Sequence, residues 1–433
     1  MDTSPLITQD SIAFGILMFT LGFVFYTSTS KISAWEKFYK VIPALLMAYL
    51  LPAIFTSAKI IAPEWETQNE AGEIIKHESS LYYISSRFLL PAALVLMTLS
   101  IDLKGIFNLG PKALIMFLTG TLGIIIGGPI AILIISAFSP ETVGGVGPDA
   151  VWRGLATLAG SWIGGGANQA AMLEIYEYNP KNYGGMVLVD IVVANILMAA
   201  ILMGIGKSEK IDKWLNADNS AIEELKEKVS TYASKITINP TLSDLIIILS
   251  IAFTVVSISH FGADIISSFL LTNFESVSDK SSALSSFGSQ FFWMISIATI
   301  VGIMLSFTKL KKYEGAGASK IGSVFIYILV ATIGMKMDLS KILDNPGLIL
   351  IGLVWISTHI ILLVIVAKII KAPFFFLAVG SQANVGGVAS APIVASAFHP
   401  SLASVGVLLA VFGYVIGTYG AMLTAELMRI VSP

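Results

Sequence analysis

The sequence predicts an all-α polytopic membrane protein built from two inverted repeats of about six crossings each. Three observations predict it. Of 433 residues, 55% are hydrophobic and only 12% charged, with a mean hydropathy of +0.82, too little polar surface to cover a soluble globule. A glycine-rich polar motif interrupts two apolar segments at corresponding places: LAGSWIGGGANQ from Leu158 to Gln169, and LAVGSQANVGG from Leu377 to Gly387. Ser161 and Ser381 stand 220 residues apart, as do Pro180 and Pro400, which close the two segments. Finally, the lysines of the short loops orient the two halves oppositely.

Apolar segments that read as crossings lie near 10–26, 41–60, 80–100, 111–138, 150–177 and 183–206, most of them matching the ~20 residues that span a ~30 Å hydrocarbon core. A second set lies near 241–258, 284–306, 314–335, 347–370, 372–398 and 401–430. The segments 150–177 and 372–398 are the broken ones. The start, Met1-Asp2-Thr3-Ser4-Pro5, lacks the basic region of a cleaved signal, so the first segment is expected to remain as an anchor. The first repeat is thus 1–206 and the second 241–433. Between them, 207–240 carries six Lys and six acidic residues. Ser220 and Glu223 are spaced as a capping box, and Ile222, Leu225, Val229 and Tyr232 share one face, which predicts an amphipathic linker helix. The duplication extends further: Thr98 to Leu103, followed by Pro111, resembles Thr332 to Leu339, followed by Pro346.

Short loops rich in Lys and Arg face the cytoplasm. Lys31, Lys37 and Lys40 put the first loop inside, the acidic loop with Glu64, Glu66, Glu70, Glu73 and Glu78 outside, and Lys104 and Lys112 inside. In the second half Lys309, Lys311, Lys312 and Lys320 precede the matching helix, which therefore starts inside; Lys368, Lys371 and Arg429 are read the same way. The copies are inverted. Two six-crossing halves then require a thirteenth crossing between 207 and 284, for which His260 to Phe274 is the one candidate. The linker lysines, placed outside by this count, argue against it.

In each broken segment about 12 apolar residues, ~18 Å of helix at ~1.5 Å per residue, lead into the polar cluster near mid-membrane. Glycine unwinds a helix at little cost, and backbone groups freed in lipid need partners. Paired, glycine-interrupted segments in the two halves point to the binding site of a secondary transporter. Ser161, Gly165, Asn168, Gln169, Ser381, Gln382 and Asn384 are expected to form that site. Half-helix N-termini would offer partial positive charge to an anion, and carbonyl-rich ends with Ser, Asn and Gln oxygens would suit Na⁺. The competing account is close packing at small residues with polar side chains as interhelical glue. Asp190 lies in the helix after the first break. A carboxylate there costs ~2.5–3.5 kcal/mol on insertion scales, so it is expected to face a wet cavity and bind Na⁺ or a proton, with Asn168 and Asn384 as further cation ligands. Glu174 is ambiguous between cavity and interface, His359 reads as a packed histidine, and Arg87, Lys320, Trp152 and Arg153 read as interfacial residues.

No phosphate loop, HExxH or GxSxG constellation is present, so neither ATP-driven transport nor an enzyme is expected. Without cysteine, thiolate chemistry and disulfides are excluded. No basic cluster suggests nucleic acid. The expected partners are a small-molecule solute and membrane lipid, with no cofactor beyond a coupling ion, Na⁺ or H⁺.

At GSWIGGGANQAAM, GSQANVGGVASAP and GYVIGTYGAM (Gly413 to Met422), the chain resembles the YjcL-like family of uncharacterised bacterial and plastid membrane proteins. That family is grouped with the cation:proton antiporter and anion transporter superfamily, which includes sodium/glutamate and bile acid:sodium symporters. The resemblance implies a core domain of roughly 105–206 plus 345–433, a panel domain of roughly 1–104 plus 241–344 that makes a homodimer, and elevator-type alternating access in the cell membrane. Asp190 matches the place of the superfamily's ion-binding aspartate. Val189 stands where antiporters carry a second Asp or an Asn, and the final helix has no Lys before its end. The expectation is therefore ion-coupled symport of a small organic solute, with a cation:proton antiporter and a non-transporting membrane sensor or scaffold as alternatives.

Overall fold

The computed structural model describes residues 5–68, 73–218, 220, 222, 225, 239–279, 282, 284–399 and 402–433. In lipid every backbone N–H must find its acceptor within its own segment, so each apolar run closes into a helix. The first half contains α1 (Asp10–Ser28), α2 (Ser33–Val41), α3 (Ala44–Ser57), α4 (Leu81–Leu99, with a π-helical turn at Ser85–Leu89), α5 (Pro111–Ser136), α6 (Val151–Gly164), α7 (Gly166–Ile175) and α8 (Tyr183–Ile205). A two-stranded antiparallel sheet, β1 (Glu64–Gln68) and β2 (Ile74–Glu78), lies between α3 and α4. The second half follows a short helix α9 (Ser208–Leu215). It contains α10 (Leu242–Asn273), α11 (Gln290–Ser306), α12 (Ala318–Lys336), α13 (Gly347–Ile369), α14 (Phe374–Val385), α15 (Gly387–Phe398) and α16 (Ala403–Val431). Among the described residues, eight helices are long and apolar enough to cross a membrane, or nine when the bent pair α2 and α3 counts as one span. The protein is an all-α polytopic membrane protein.

Two sequence expectations are corrected here. The candidate thirteenth crossing at His260–Phe274 is not separate: it is the second half of α10, one continuous helix of 32 residues. Thr241 and Asp244 start that helix as a reciprocal capping box. The interrupted segments, expected to break and then continue across, instead fold back on themselves. A straight continuation would hold Trp152 and Tyr176 ~36 Å apart at ~1.5 Å per residue. Their rings pack edge to face with centroids 5.5 Å apart, the Asn179 amide N–H donates to the Pro148 carbonyl at 2.9 Å, and Asn179 donates to Asp149 at 2.8 Å. Helices α6 and α7 therefore form a hairpin. The turn is made at Gly165, whose φ of +79° and ψ of −171° only glycine adopts readily. In the second copy, the Phe398 ring lies 5.3 Å from that of Phe375 and 5.9 Å from that of Phe374. Helices α14 and α15 form a second hairpin, turning at Gly386 and at Gly387 with φ of +56°.

The matched helices α5 and α13 run antiparallel. His359 bonds the Gly120 carbonyl at 2.8 Å, Trp355 donates to the Ile124 carbonyl at 2.8 Å, and Asn345 donates to the Thr142 carbonyl at 2.9 Å. Contacts also mark two ends of the molecule. At one, Asp10 accepts from Ser79 at 2.6 Å, Lys181 pairs with Glu64 at 2.7 Å, and the open end of hairpin α6/α7 meets residues 338–347. At the other, Lys112 pairs with Asp218 at 2.8 Å, Asp102 with Lys311 at 2.9 Å, and Asp212 caps the start of α14 through the Phe374 N–H at 2.7 Å. The Lys112 ammonium and the Ser220 hydroxyl hold the Asp218 carboxyl down to about 2. The amphipathic linker expectation falls largely outside the described residues, since Glu223, Val229 and Tyr232 do.

Candidate functional site

The hairpins bring their tips against one point of the last helix. A Cβ added to Gly413 of α16 would sit 2.6 Å from the Ile163 carbonyl oxygen and 3.8 Å from that of Ala383. Helix α6 runs antiparallel to α16 and α7 parallel to it: Ile163 meets Gly413, Asn168 meets Thr418, and Tyr176 bonds the Met422 carbonyl at 3.3 Å. Small residues allow this approach. At Gly417 a Cβ would lie 2.6 Å from the Gly164 Cα.

Asp190, on α8, is reached from the first tip by three donors. Its Oδ2 accepts from Ser161 Oγ at 2.7 Å and Gln169 Nε2 at 3.2 Å, and its Oδ1 accepts from Trp162 Nε1 at 2.7 Å. The carboxylate is 8% exposed. Three donors to one carboxylate offset the desolvation that a buried charge suffers. Ser161 and Gln169 were expected in a central site and Asn168 and Asn384 as the cation ligands beside Asp190; it is Ser161, Gln169 and the unforeseen Trp162, which stands between them in the motif, that bond the carboxylate. Trp162 packs edge to face on Trp355 of α13 at 5.0 Å.

The other polar residues do not converge on the same spot. Asn168, fully buried, is satisfied when its Nδ2 donates to the Gly164 carbonyl at 2.7 Å and its Oδ1 accepts from Thr418 Oγ1 at 2.8 Å and Thr418 N at 2.9 Å. Asn384 accepts from Thr121 at 2.8 Å and donates to the carbonyls of Phe117 at 3.0 Å and Gly380 at 2.9 Å. Both amides tie a hairpin to its neighbours, which is the glue role weighed against a ligand role. Ser381 bonds His359 Nε2 at 2.9 Å, and His359 Nδ1 bonds the Gly120 carbonyl. A carbonyl only accepts, so Nδ1 carries the proton and the Ser381 hydroxyl donates to Nε2. Gln382 differs: its Oε1 accepts from Ser390 Oγ at 2.7 Å, but its Nε2 is buried with no partner among the described residues, a cost of about 1–3 kcal/mol. The expected single site of six side chains is thus a carboxylate cluster at the first tip, two structural amides, a Ser–His pair, and one unsatisfied amide at the second tip. Glu174 lies on hairpin α6/α7 and pairs with Arg87 and Tyr82 of α4, so Arg87 is a partner of the hairpin rather than a snorkelling residue.

A helical chain with two such hairpins and a carboxylate buried between helices is a multi-pass membrane protein with polar groups held deep inside it. It belongs to the family described as protein of unknown function DUF819, whose model matches residues 15–431. The chain is also 24% identical over 369 residues to the uncharacterized membrane protein YjcL of Bacillus subtilis (strain 168), covering 80% of this chain and 83% of that one. The resemblance drawn from the motifs is met at the level of the family.

Proposed function

We propose that this protein is a secondary active transporter of the cell membrane, coupling a small organic anion to a monovalent cation, Na⁺ foremost. The observation that carries the reading is the meeting of two hairpin tips at Gly413, with the Asp190 carboxylate at one of them. Polar, irregular backbone at membrane depth is tolerated only inside protein or along a wet cavity, and intramembrane carboxylates mark ion paths. The two halves are inverted repeats, each of five crossings plus one hairpin that returns to its side of entry, the 17-residue α11 serving as a crossing beside the nine spans counted above. Five is odd, so the second half starts on the opposite side with no thirteenth crossing. The linker then lies with Lys104, Lys112, Lys309, Lys311 and Lys371 on the cytoplasmic side, which removes the objection raised by its lysines; Arg429 falls on the other side. Helix α5, both hairpins, α8, α13 and α16 form the core, and α1 to α4 with α10 to α12 form the panel that dimerises and against which the core moves.

Na⁺ raises the melting temperature of the purified protein in this reading, and Asp190→Asn abolishes that response. A wild-type protein indifferent to every monovalent cation at all pH values where it stays folded sinks the proposal. A second reading, cation:proton antiport, follows from the burial of the Asp190 carboxylate, whose charge a proton or a metal ion could neutralise in turn. In vesicles, antiport dissipates a pH gradient on addition of Na⁺ or K⁺ with no organic solute present.

A further inference from the structure

The two tips are chemically opposite. The first carries an acid, Asp190, surrounded by donors that it already occupies. The second, residues 374–398, contains neither Lys, Arg, Asp nor Glu and ends in donors without acceptors. Helix α15 is 12 residues long and no side chain caps its first turn, so the N–H groups of Gly387, Val388 and Ala389 have no intrahelical acceptor. That turn is open: a Cβ on Gly387 would meet nothing within 4 Å, Val388 is 41% exposed, and Ala389 is exposed. Backbone N–H groups cannot face lipid at this depth, so the opening is a wet one.

Gln382 supplies the independent observation. Its side chain is 1% exposed, and its Oε1 is bonded to Ser390 in the first turns of α15. A Cβ on Gly386 would lie 2.6 Å from the same oxygen. The amide therefore lies at the start of α15, the turn whose backbone donors are free, and its Nε2 has no partner among the described residues.

We propose that the tip of hairpin α14/α15 binds the carboxylate group of the transported solute, through Gln382 Nε2 and the N–H groups of Gly387 to Ala389. The inference rests on the transporter reading and assigns the solute's charged end. A helix N-terminus with neutral amide donors matches a single negative charge. Helix N-termini also take phosphate; with no Arg or Lys on this hairpin to balance a second charge, the singly charged carboxylate is the better match.

The test uses the purified full-length chain in detergent with saturating Na⁺. Acetate, succinate, citrate and L-glutamate serve as probes, their methyl esters and inorganic phosphate as controls, and melting temperature as the readout. At least one carboxylate stabilises the protein, while its ester and phosphate do not. Gln382→Met, which keeps the volume but has no donor, weakens that probe at least tenfold. Gln382→Glu, isosteric and negatively charged, abolishes the effect. The Na⁺ response, measured on each variant without probe, shows that it is folded. The inference is overturned if ester or phosphate stabilises as well as the acid, or if both variants bind the acid like the parent. It is equally overturned if no probe acts while the Na⁺ response persists, an outcome that leaves the transporter reading standing.

Discussion

At the scale of single residues, the division of labour among the polar side chains follows from what each already bonds. Asp190 takes three donors and offers none, so a cation must displace or reorient Ser161 or Gln169 to reach it. Trp162→Phe removes one charge-assisted hydrogen bond from a buried carboxylate. The expected loss is about 1.5–3 kcal/mol of stability, measured as denaturant unfolding in detergent. Asn384 is different, because Thr121, Phe117 and Gly380 consume its donors and acceptor. Asn384→Ala should cost about 1–3 kcal/mol while leaving the Na⁺ midpoint where it was. A lost cation response in a protein of unchanged stability would make Asn384 a ligand instead. Residue types were legible in the sequence here. Their partners were not, since Asn384 to Thr121 spans 263 positions and Asn168 to Thr418 spans 250.

At the scale of elements, glycine decides whether an interrupted helix crosses or returns. Gly165→Ala forces a side chain into a backbone conformation with positive φ at a cost of about 1–3 kcal/mol. Gly166→Ala, whose Cβ would meet only Ile326 at 3.7 Å, is near neutral. Comparable melting temperatures for the two variants would contradict the hairpin turn. The connection from α11 to α12 supplies a pH test. Burial pushes the Glu314 carboxyl up, against the hydrogen bonds from Ser319 that lower it. A carboxyl raised on folding contributes stability that is present at low pH and lost as pH rises through its folded pKa. Glu314→Gln should therefore melt higher than wild type at neutral pH, with the difference shrinking on acidification. A difference that grows on acidification would reverse the assignment. The Gly/Ser/Asn/Gln motifs marked the interruptions, but composition carries no sign of the chain's direction after a break. That information sits in Trp152 on Tyr176 and in Phe375 on Phe398.

At the scale of the whole molecule, topology can be read with single cysteines, because the chain has none of its own. Val146→Cys and Glu177→Cys flank hairpin α6/α7 and should react with a membrane-impermeant maleimide from the outside. Lys371→Cys and His399→Cys flank hairpin α14/α15 and should react only from the cytoplasm. Labelling of Val146→Cys and Glu177→Cys from opposite sides would restore a crossing helix and with it the thirteenth span. The amino-acid sequence by itself determined that the chain lives in a bilayer, where its apolar segments lie, and that two of them are duplicated and interrupted by polar residues. These follow from local composition and spacing, which set transfer free energy and helix continuity. Only the tertiary structure decided that the interruptions are reversals, that Asp190 is held by Ser161, Trp162 and Gln169, and that Gln382 is left with a free donor. Each of these depends on which groups meet across helices, and no local pattern encodes a hydrogen bond between residues brought together by packing.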